Sequence, residues 1–249
     1  MLTGNARQPL DPRVADIVKA GEIRAGLFLG QYVKDPTTGE PKGLWVDIAR
    51  TLAARIGVKA VLLEHATPLD AVECLKAGAC DVVFLPLDGR AADAGDFSSP
   101  LVQFEYTLLV PASSPIRSVA DADRVDVRIA AVRNHASTIT LSSMLKQAKL
   151  TYAETPDATF NLLRAGHVGA MASARNTLVE YSTQLPGSRV LADYFGVNLN
   201  RVVVPKGHAG WLAYVNEFVE EAKSSGFVQK AIDRDGTSAF QVPPPGEPE

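Results

Sequence analysis

Residues 59–84 read KAVLLEHATPLDAVECLKAGACDVVF. KAVLLEHAT predicts a strand, LDAVECLKAGA a helix, and DVVFLPL, which continues to Leu87, a short apolar strand. Upstream, LWVDIARTLAARIG repeats apolar residues at Trp45, Ile48, Leu52 and Ile56, a helical period that stops at Gly57. Before it, EIRAGLFLG (22–30) is β-like with Ile23, Ala25, Leu27 and Leu29 on one face, and QYVKDPTTGEPKG follows as a Gly/Pro-rich loop. Residues 1–20 read as an N-terminal extension leading into a short helix.

Downstream, EYTLLVPA is a further strand and the order of units then repeats. RIAAVRN is a strand, ASTITLSSMLKQA a helix, LTYAET a strand, PDATFNLLRAG a helix with proline at its start, and GAMAS a very short strand. ARNTLVEYSTQ reads as a helix, SRVLADYF and NRVVVPKG as strands, and HAGWLAYVNEFVEEAKSSGFVQKAIDR as one long amphipathic helix. Alternating β and α units with short connections indicate an α/β fold with largely parallel sheets. Two such runs predict two similar lobes. The expected division is 21–112 plus 206–240 for lobe one and 113–205 for lobe two, with 241–249 a flexible tail.

Composition narrows the function classes. The 249 residues carry 25 basic and 28 acidic side chains, a net charge of −3, and no Lys/Arg block, which argues against a nucleic-acid partner. No apolar run approaches the roughly 18 residues that cross a bilayer. MLTGNARQPLDPR is polar and turn-rich, so the chain reads as cytoplasmic or as stripped of a signal peptide. Cys74 and Cys80 fit no zinc spacing; they are either two buried small hydrophobes or a short disulfide. His65, His167 and His208 are scattered without ligand spacing, so neither a metal nor a cofactor is expected.

Six segments, in order, carry a family likeness. GLWVDIARTLAARIG, LDAVECLKAGACDVVF, GDFSSPL, LLVPASSPIRSVADADRVDVRIAAV, TPDATFNLLRAGHVGAMA and SSGFVQKAIDRDG resemble the corresponding passages of type II periplasmic solute-binding proteins of ABC importers, of the amino-acid-binding (family 3) kind. The resemblance implies two α/β lobes joined by two hinge strands, with a small organic solute held between them. It implies an ABC transporter permease as partner, contacted at the membrane surface, a monomer, and a periplasmic location with the signal peptide removed.

The resemblance also points to residues. Arg90 stands before Asp96-Phe97-Ser98 where the family pairs an arginine with the ligand carboxylate, although the spacing is slightly longer than the family pattern. Leu85, Pro86 and Leu87 replace the family's small hydroxyl or glycine residues, and Asp88 is the nearest polar group: a contact for a ligand cation, or a turn cap. Asn134, His135, Ala136 and Ser137 occupy a helix start whose N–H groups favour an anion. Ala174 falls where the amino-acid-binding members usually carry the acidic partner of the α-ammonium, which disfavours a standard zwitterionic amino acid and suits a carboxylate, neutral amide or aromatic acid. Arg175 is a second anion contact or a solvated helix residue. Tyr32 is a candidate aromatic wall, Tyr194 and Phe195 either line the cleft or pack in the core, Trp45 is candidate core, and Thr67 a candidate hydroxyl.

No G-x-S-x-G elbow, P-loop, G-x-G-x-x-G or H-E-x-x-H occurs, so the chain reads as a binder and not an enzyme. Two alternatives stay open. One is a cyclohexadienyl-dehydratase-like enzyme on the same fold, with Glu154, Asp157 or His135 as the acid; the other is a ligand-sensing module.

Overall fold

The computed structural model describes residues 11–87, 93–236, 240–244 and 246. They fall into two compact units. Unit 1 draws on Met1–Val102, Leu199–Gly236 and Val242–Glu249, and unit 2 on Gln103–Asn198 and Thr237–Gln241. The changeovers lie at 102/103 and 198/199, inside long strands, whereas the sequence places them at the strand ends.

The chain opens with α1 (Pro12–Ala20), β1 (Glu22–Phe28), β2 (Val33–Lys34), β3 (Pro41–Lys42), α2 (Leu44–Ile56), β4 (Lys59–His65), α3 (Pro68–Lys76), β5 (Val82–Pro86) and β6 (Asp96–Val110). It continues with α4 (Val119–Ala122), β7 (Arg128–Val132), α5 (Ala136–Met144), β8 (Lys149–Ala153), α6 (Pro156–Arg164), β9 (Ala170–Ala174), α7 (Arg175–Thr183) and β10 (Arg189–Val190). It closes with β11 (Gly196–Val204), α8 (Ala209–Ser224), α9 (Phe227–Asp235) and β12 (Phe240–Gln241).

In unit 1 the strands run in the order β4-β1-β5-β11. β1 is parallel to both β4 and β5, and β11 is antiparallel to β5. Helix α2 buries Leu44, Trp45, Ile48 and Leu52, as its period predicts, and Trp45 meets Phe84 with ring centroids 5.3 Å apart. Helix α1 belongs to this unit instead of extending from it. Asp11 caps it by accepting from the Arg13 N–H, and its Val14 and Ile17 are buried. Asp81, itself buried, takes the guanidinium groups of Arg13 and of Arg24, the latter through Nη2 at 2.9 Å and Nε at 3.1 Å. The Asp81 carbonyl accepts from Trp211 Nε1 at 3.3 Å, so one residue ties α1, β1 and α8 together.

In unit 2 the order is β6-β9-β7-β8, with β7 parallel to β8 and β9, and β9 antiparallel to β6. The sheet is covered on both faces, and alternation along β6 shows it: Leu108 and Val110 join Ile129 and Phe195, while Leu109 joins Phe160 and Leu163. β10 and β12 both pair with β6.

The departures from the sequence reading have local causes. The helix expected through Ala148 stops at Met144, because the Asp123 carboxylate accepts the N–H groups of Lys146, Gln147 and Ala148. The long C-terminal helix divides into α8 and α9 at Gly226, whose φ of 72° is left-handed. SRVLADYF keeps only two strand residues, since the carbonyls of Leu191, Ala192 and Asp193 accept from side chains. The Gly/Pro-rich loop after β1 holds the β2–β3 hairpin, and of the expected flexible tail, Gln241 extends a strand. Of the two readings of the cysteine pair, the disulfide is present, joining Cys74 to Cys80.

Asp81→Asn is expected to lower unit 1 stability by about 3 kcal/mol, because it leaves two arginines facing a neutral group in a largely dry site. Urea unfolding followed by tryptophan fluorescence measures this; a loss below about 0.5 kcal/mol would show that the arginines are satisfied by solvent.

Candidate solute-binding edges

In unit 2, β7 and β9 are parallel neighbours and so end at the same edge. Each is followed by a helix, α5 after Arg133, Asn134 and His135 and α7 directly after Ala174. Neither N-cap residue makes a side-chain cap hydrogen bond among the described residues, and neither helix has an acidic residue in its first turn. The other two helices of the unit differ: Ser118 and Thr155 cap α4 and α6, with Asp121 and Asp157 in their first turns. The edge therefore presents two sets of orphan N–H donors and the positive ends of two helices.

Asn134, in the turn that enters α5, adopts a φ of 58°, which asparagine tolerates better than most residues. His135 is the N-cap and is exposed, Ala136 is the first helical residue, and Ser137 is buried. Ala174 is the N-cap of α7.

Carboxylates around this edge are engaged. Glu105 accepts from Arg175 Nε at 2.6 Å, Glu154 pairs with Arg133 at 2.8 Å, the Asp193 carboxylate accepts the Val119 N–H at 2.8 Å, and Asp157 accepts the Tyr181 hydroxyl. Arg175 also donates to the carbonyls of Leu191, Ala192 and Asp193, so its guanidinium clamps the 191–193 segment onto the start of α7. Tyr194 follows that segment and is 53% exposed, whereas Phe195 is buried and stacks on Tyr106. Asn176, which the sequence reading did not single out, is the second residue of α7; its Oδ1 is buried without a hydrogen-bond partner among the described residues. An unsatisfied buried acceptor is costly, and that cost falls when a donor arrives.

In unit 1, β1, β4 and β5 likewise end together. Tyr32 lies past the end of β1, half-buried, and its hydroxyl donates to Glu64 Oε2 at 2.9 Å, where Lys34 also pairs at 2.9 Å. Lys34 first, then Tyr32, hold the Glu64 carboxyl below its ordinary range. Thr67 forms a capping box with Asp70: its hydroxyl accepts the Asp70 N–H and donates to Oδ2. Asp88 and Arg90 lie outside the described residues. His65, at the end of β4, stands with Nε2 3.8 Å from Cys80 Sγ.

Residues 31–234 match the bacterial extracellular solute-binding proteins, family 3. The chain belongs to that family. The ABC transporter glutamine-binding protein GlnH of Bacillus subtilis is 22% identical over 198 residues, 78% of this chain and 72% of the relative. Among solved structures, the solute receptor for L-cysteine of Neisseria gonorrhoeae matches with a TM-score of 0.65 at 23% identity, covering 91% of this chain and 94% of the receptor. An ancestral amino acid-binding protein, a precursor of cyclohexadienyl dehydratase, matches with a TM-score of 0.65 at 24% identity, covering 89% and 97%. These likenesses show the fold, the type II two-lobe α/β architecture. Family 3 membership makes the chain a solute-binding protein. Among the described residues no helix is long and apolar enough to cross a membrane.

Two predictions follow from unit 2. Arg175→Ala should cost about 1–3 kcal/mol of stability, because it leaves Glu105 without its cation and frees the 191–193 carbonyls; thermal unfolding reads it, and an unchanged midpoint would show the clamp to be idle. Burial first, then Asp157, pushes the Tyr181 hydroxyl from 10.0 up to about 12. The raised value means the contribution is complete below pH 10 and is lost as pH climbs through about 12. An ultraviolet titration should show one tyrosine ionising about two units late, and Asp157→Asn should bring it down; co-titration with the other tyrosines would remove the contact.

Proposed function

We propose that this family 3 protein is the periplasmic, monomeric receptor of an ABC importer, that it delivers its solute to the membrane permease, and that the solute is a small carboxylate-bearing organic molecule without an obligatory α-ammonium group. The observation that carries this reading is the pair of uncapped, acid-free helix starts at α5 and α7. Together they supply donors for an anion and no fixed negative charge to match an ammonium. Ala174 stands at the second start, where the family resemblance expects an acid, and an ammonium left unpaired in a dry site is strongly disfavoured. Glu105 does not replace the missing acid, since Arg175 occupies it. Asn134, His135, Ala136 and Ser137 are the proposed anion contacts, with Arg90 as the guanidinium partner by its place in the family pattern. Tyr32 and Tyr194 are the proposed apolar walls, with Thr67 and Asp88 as polar contacts at their rim. The protein acts by binding and not by turnover: Glu154 and Asp157, two candidate acids for a dehydratase, already hold other partners.

Calorimetry with matched pairs, each an α-amino acid and the carboxylic acid lacking its amino group, tests the reading. The deaminated acid should bind at least as tightly. Arg90→Ala should weaken it about tenfold or more, about 1.4 kcal/mol. Tight binding confined to the zwitterions would overturn the ligand class, and conversion of prephenate-type acids followed by product absorbance would overturn the non-enzymatic role.

A further inference from the structure

We propose that unit 1 carries a second site, unrelated to solute capture: with the cysteine pair reduced, His65, Cys74 and Cys80 bind one zinc(II) ion. The ligand atoms of the three residues all lie within 4.8 Å of one another. They come from three elements. His65 ends β4, Cys74 sits in α3 near its end, and Cys80 comes two residues before β5. The sheet order β4-β1-β5 puts β1 between the histidine and Cys80, so the imidazole has to approach across β1. It does so at Gly26. A Cβ on Gly26 would stand 2.8 Å from Cys80 Sγ and 3.0 Å from Val83 Cγ1, with His65 Nε2 at 3.4 Å, so the glycine makes room for the sulfur beside the imidazole. A glycine inside a strand weakens it, and close approach of another group is the usual reason for one.

The disulfide is a weak explanation for this arrangement. Its cysteines are only 6 residues apart, and a cross-link over so short a loop removes the least chain entropy. The turn is already closed by backbone bonds, Gly78 N–H to the Leu75 carbonyl and the N–H groups of Ala79 and Cys80 to the Cys74 carbonyl. Nor does cross-linking use an imidazole. Two thiolates and a neutral imidazole, by contrast, form a soft N/S donor set that suits zinc and leaves a fourth position open. Cys80 is fully buried and Cys74 nearly so, while His65 is half-buried and gives the site its opening to solvent.

The chemistry balances with a dithiol as reductant. The dithiol passes two electrons and two protons to the protein, breaking the Cys74–Cys80 bond to give two thiols as the reductant closes its own disulfide. Zinc then binds through both sulfurs and His65 Nε2, and the two thiol protons leave to solvent. Disulfide and metal exclude each other, so oxidation expels the ion.

The test uses the full chain, reduced with dithiothreitol, desalted without oxygen, and titrated with cobalt(II) as a spectroscopic stand-in for zinc. One equivalent should bind with a thiolate-to-cobalt charge-transfer band and the visible bands of a tetrahedral site, all bleached by equimolar zinc. The oxidised protein should show neither. Cys80→Ser should abolish the response, and His65→Ala should keep a thiolate band while weakening affinity about tenfold. Absence of a stoichiometric band in reduced protein that keeps its native circular dichroism would overturn the site. So would an affinity unchanged by His65→Ala, or loss of the fold on reduction, because the ligands meet only in the folded β4–α3–β5 crossover.

Discussion

Parallel strand pairing is the constraint on which the rest of this structure depends. Once β1 is paired in parallel with β4 and β5, and β7 with β8 and β9, each chain segment leaving a strand must return through a crossover before pairing again. The C-terminal ends of the parallel strands of a unit then gather at one edge, together with the starts of the helices that follow. That edge is the only place where several loops, several helix N-termini and short polar side chains can converge without disturbing the ladder. Tyr32, His65 and Thr67 in unit 1, and Asn134, His135, Ala174 and Asn176 in unit 2, owe their positions to it.

The alternation of strand and helix was readable because burial on both sheet faces leaves continuous apolar runs, and burial on one helix face leaves a period. Helix α2 illustrates this: Trp45, Ile48 and Leu52 point inward where their spacing places them. What could not be read depended on partners far along the chain. Nothing within ASTITLSSMLKQA announces that Asp123, more than twenty residues upstream, will take the N–H groups of 146–148 and end the helix early. The brevity of β10 likewise depends on Arg175 reaching the carbonyls that strand pairing would have used.

The candidate site was legible to the same degree and for the same reason. Ala174 and the segment 134–137 could be placed because they sit at strand ends, and strand ends follow from periodicity. The jobs of individual side chains were harder to place. Arg175 reads as a free cation until Glu105, on the neighbouring strand, is known to occupy it. Thr67 reads as a hydroxyl for a ligand until its capping box with Asp70 is seen, although a Thr followed three residues later by an acid is a signal the sequence does carry. His65 looks unrelated to the cysteines in any linear spacing; only the order of strands brings it beside them.

The division of the chain has a consequence for biosynthesis. Residues 103–198 are contiguous and contain β7 to β10, α4 to α7 and the later part of β6, so a ribosome releases almost all of that unit as one stretch. Unit 1 begins earlier yet lacks β11, α8 and α9 until residues 199–236 emerge. During that interval its sheet has an unpaired edge at β5, and Trp211, the largest of its fully buried side chains, has not been made. The first unit to start is thus the last to finish, and the nascent chain carries an open, apolar sheet edge from Pro86 until residues 199–204 are added, a state in which chaperone capture matters.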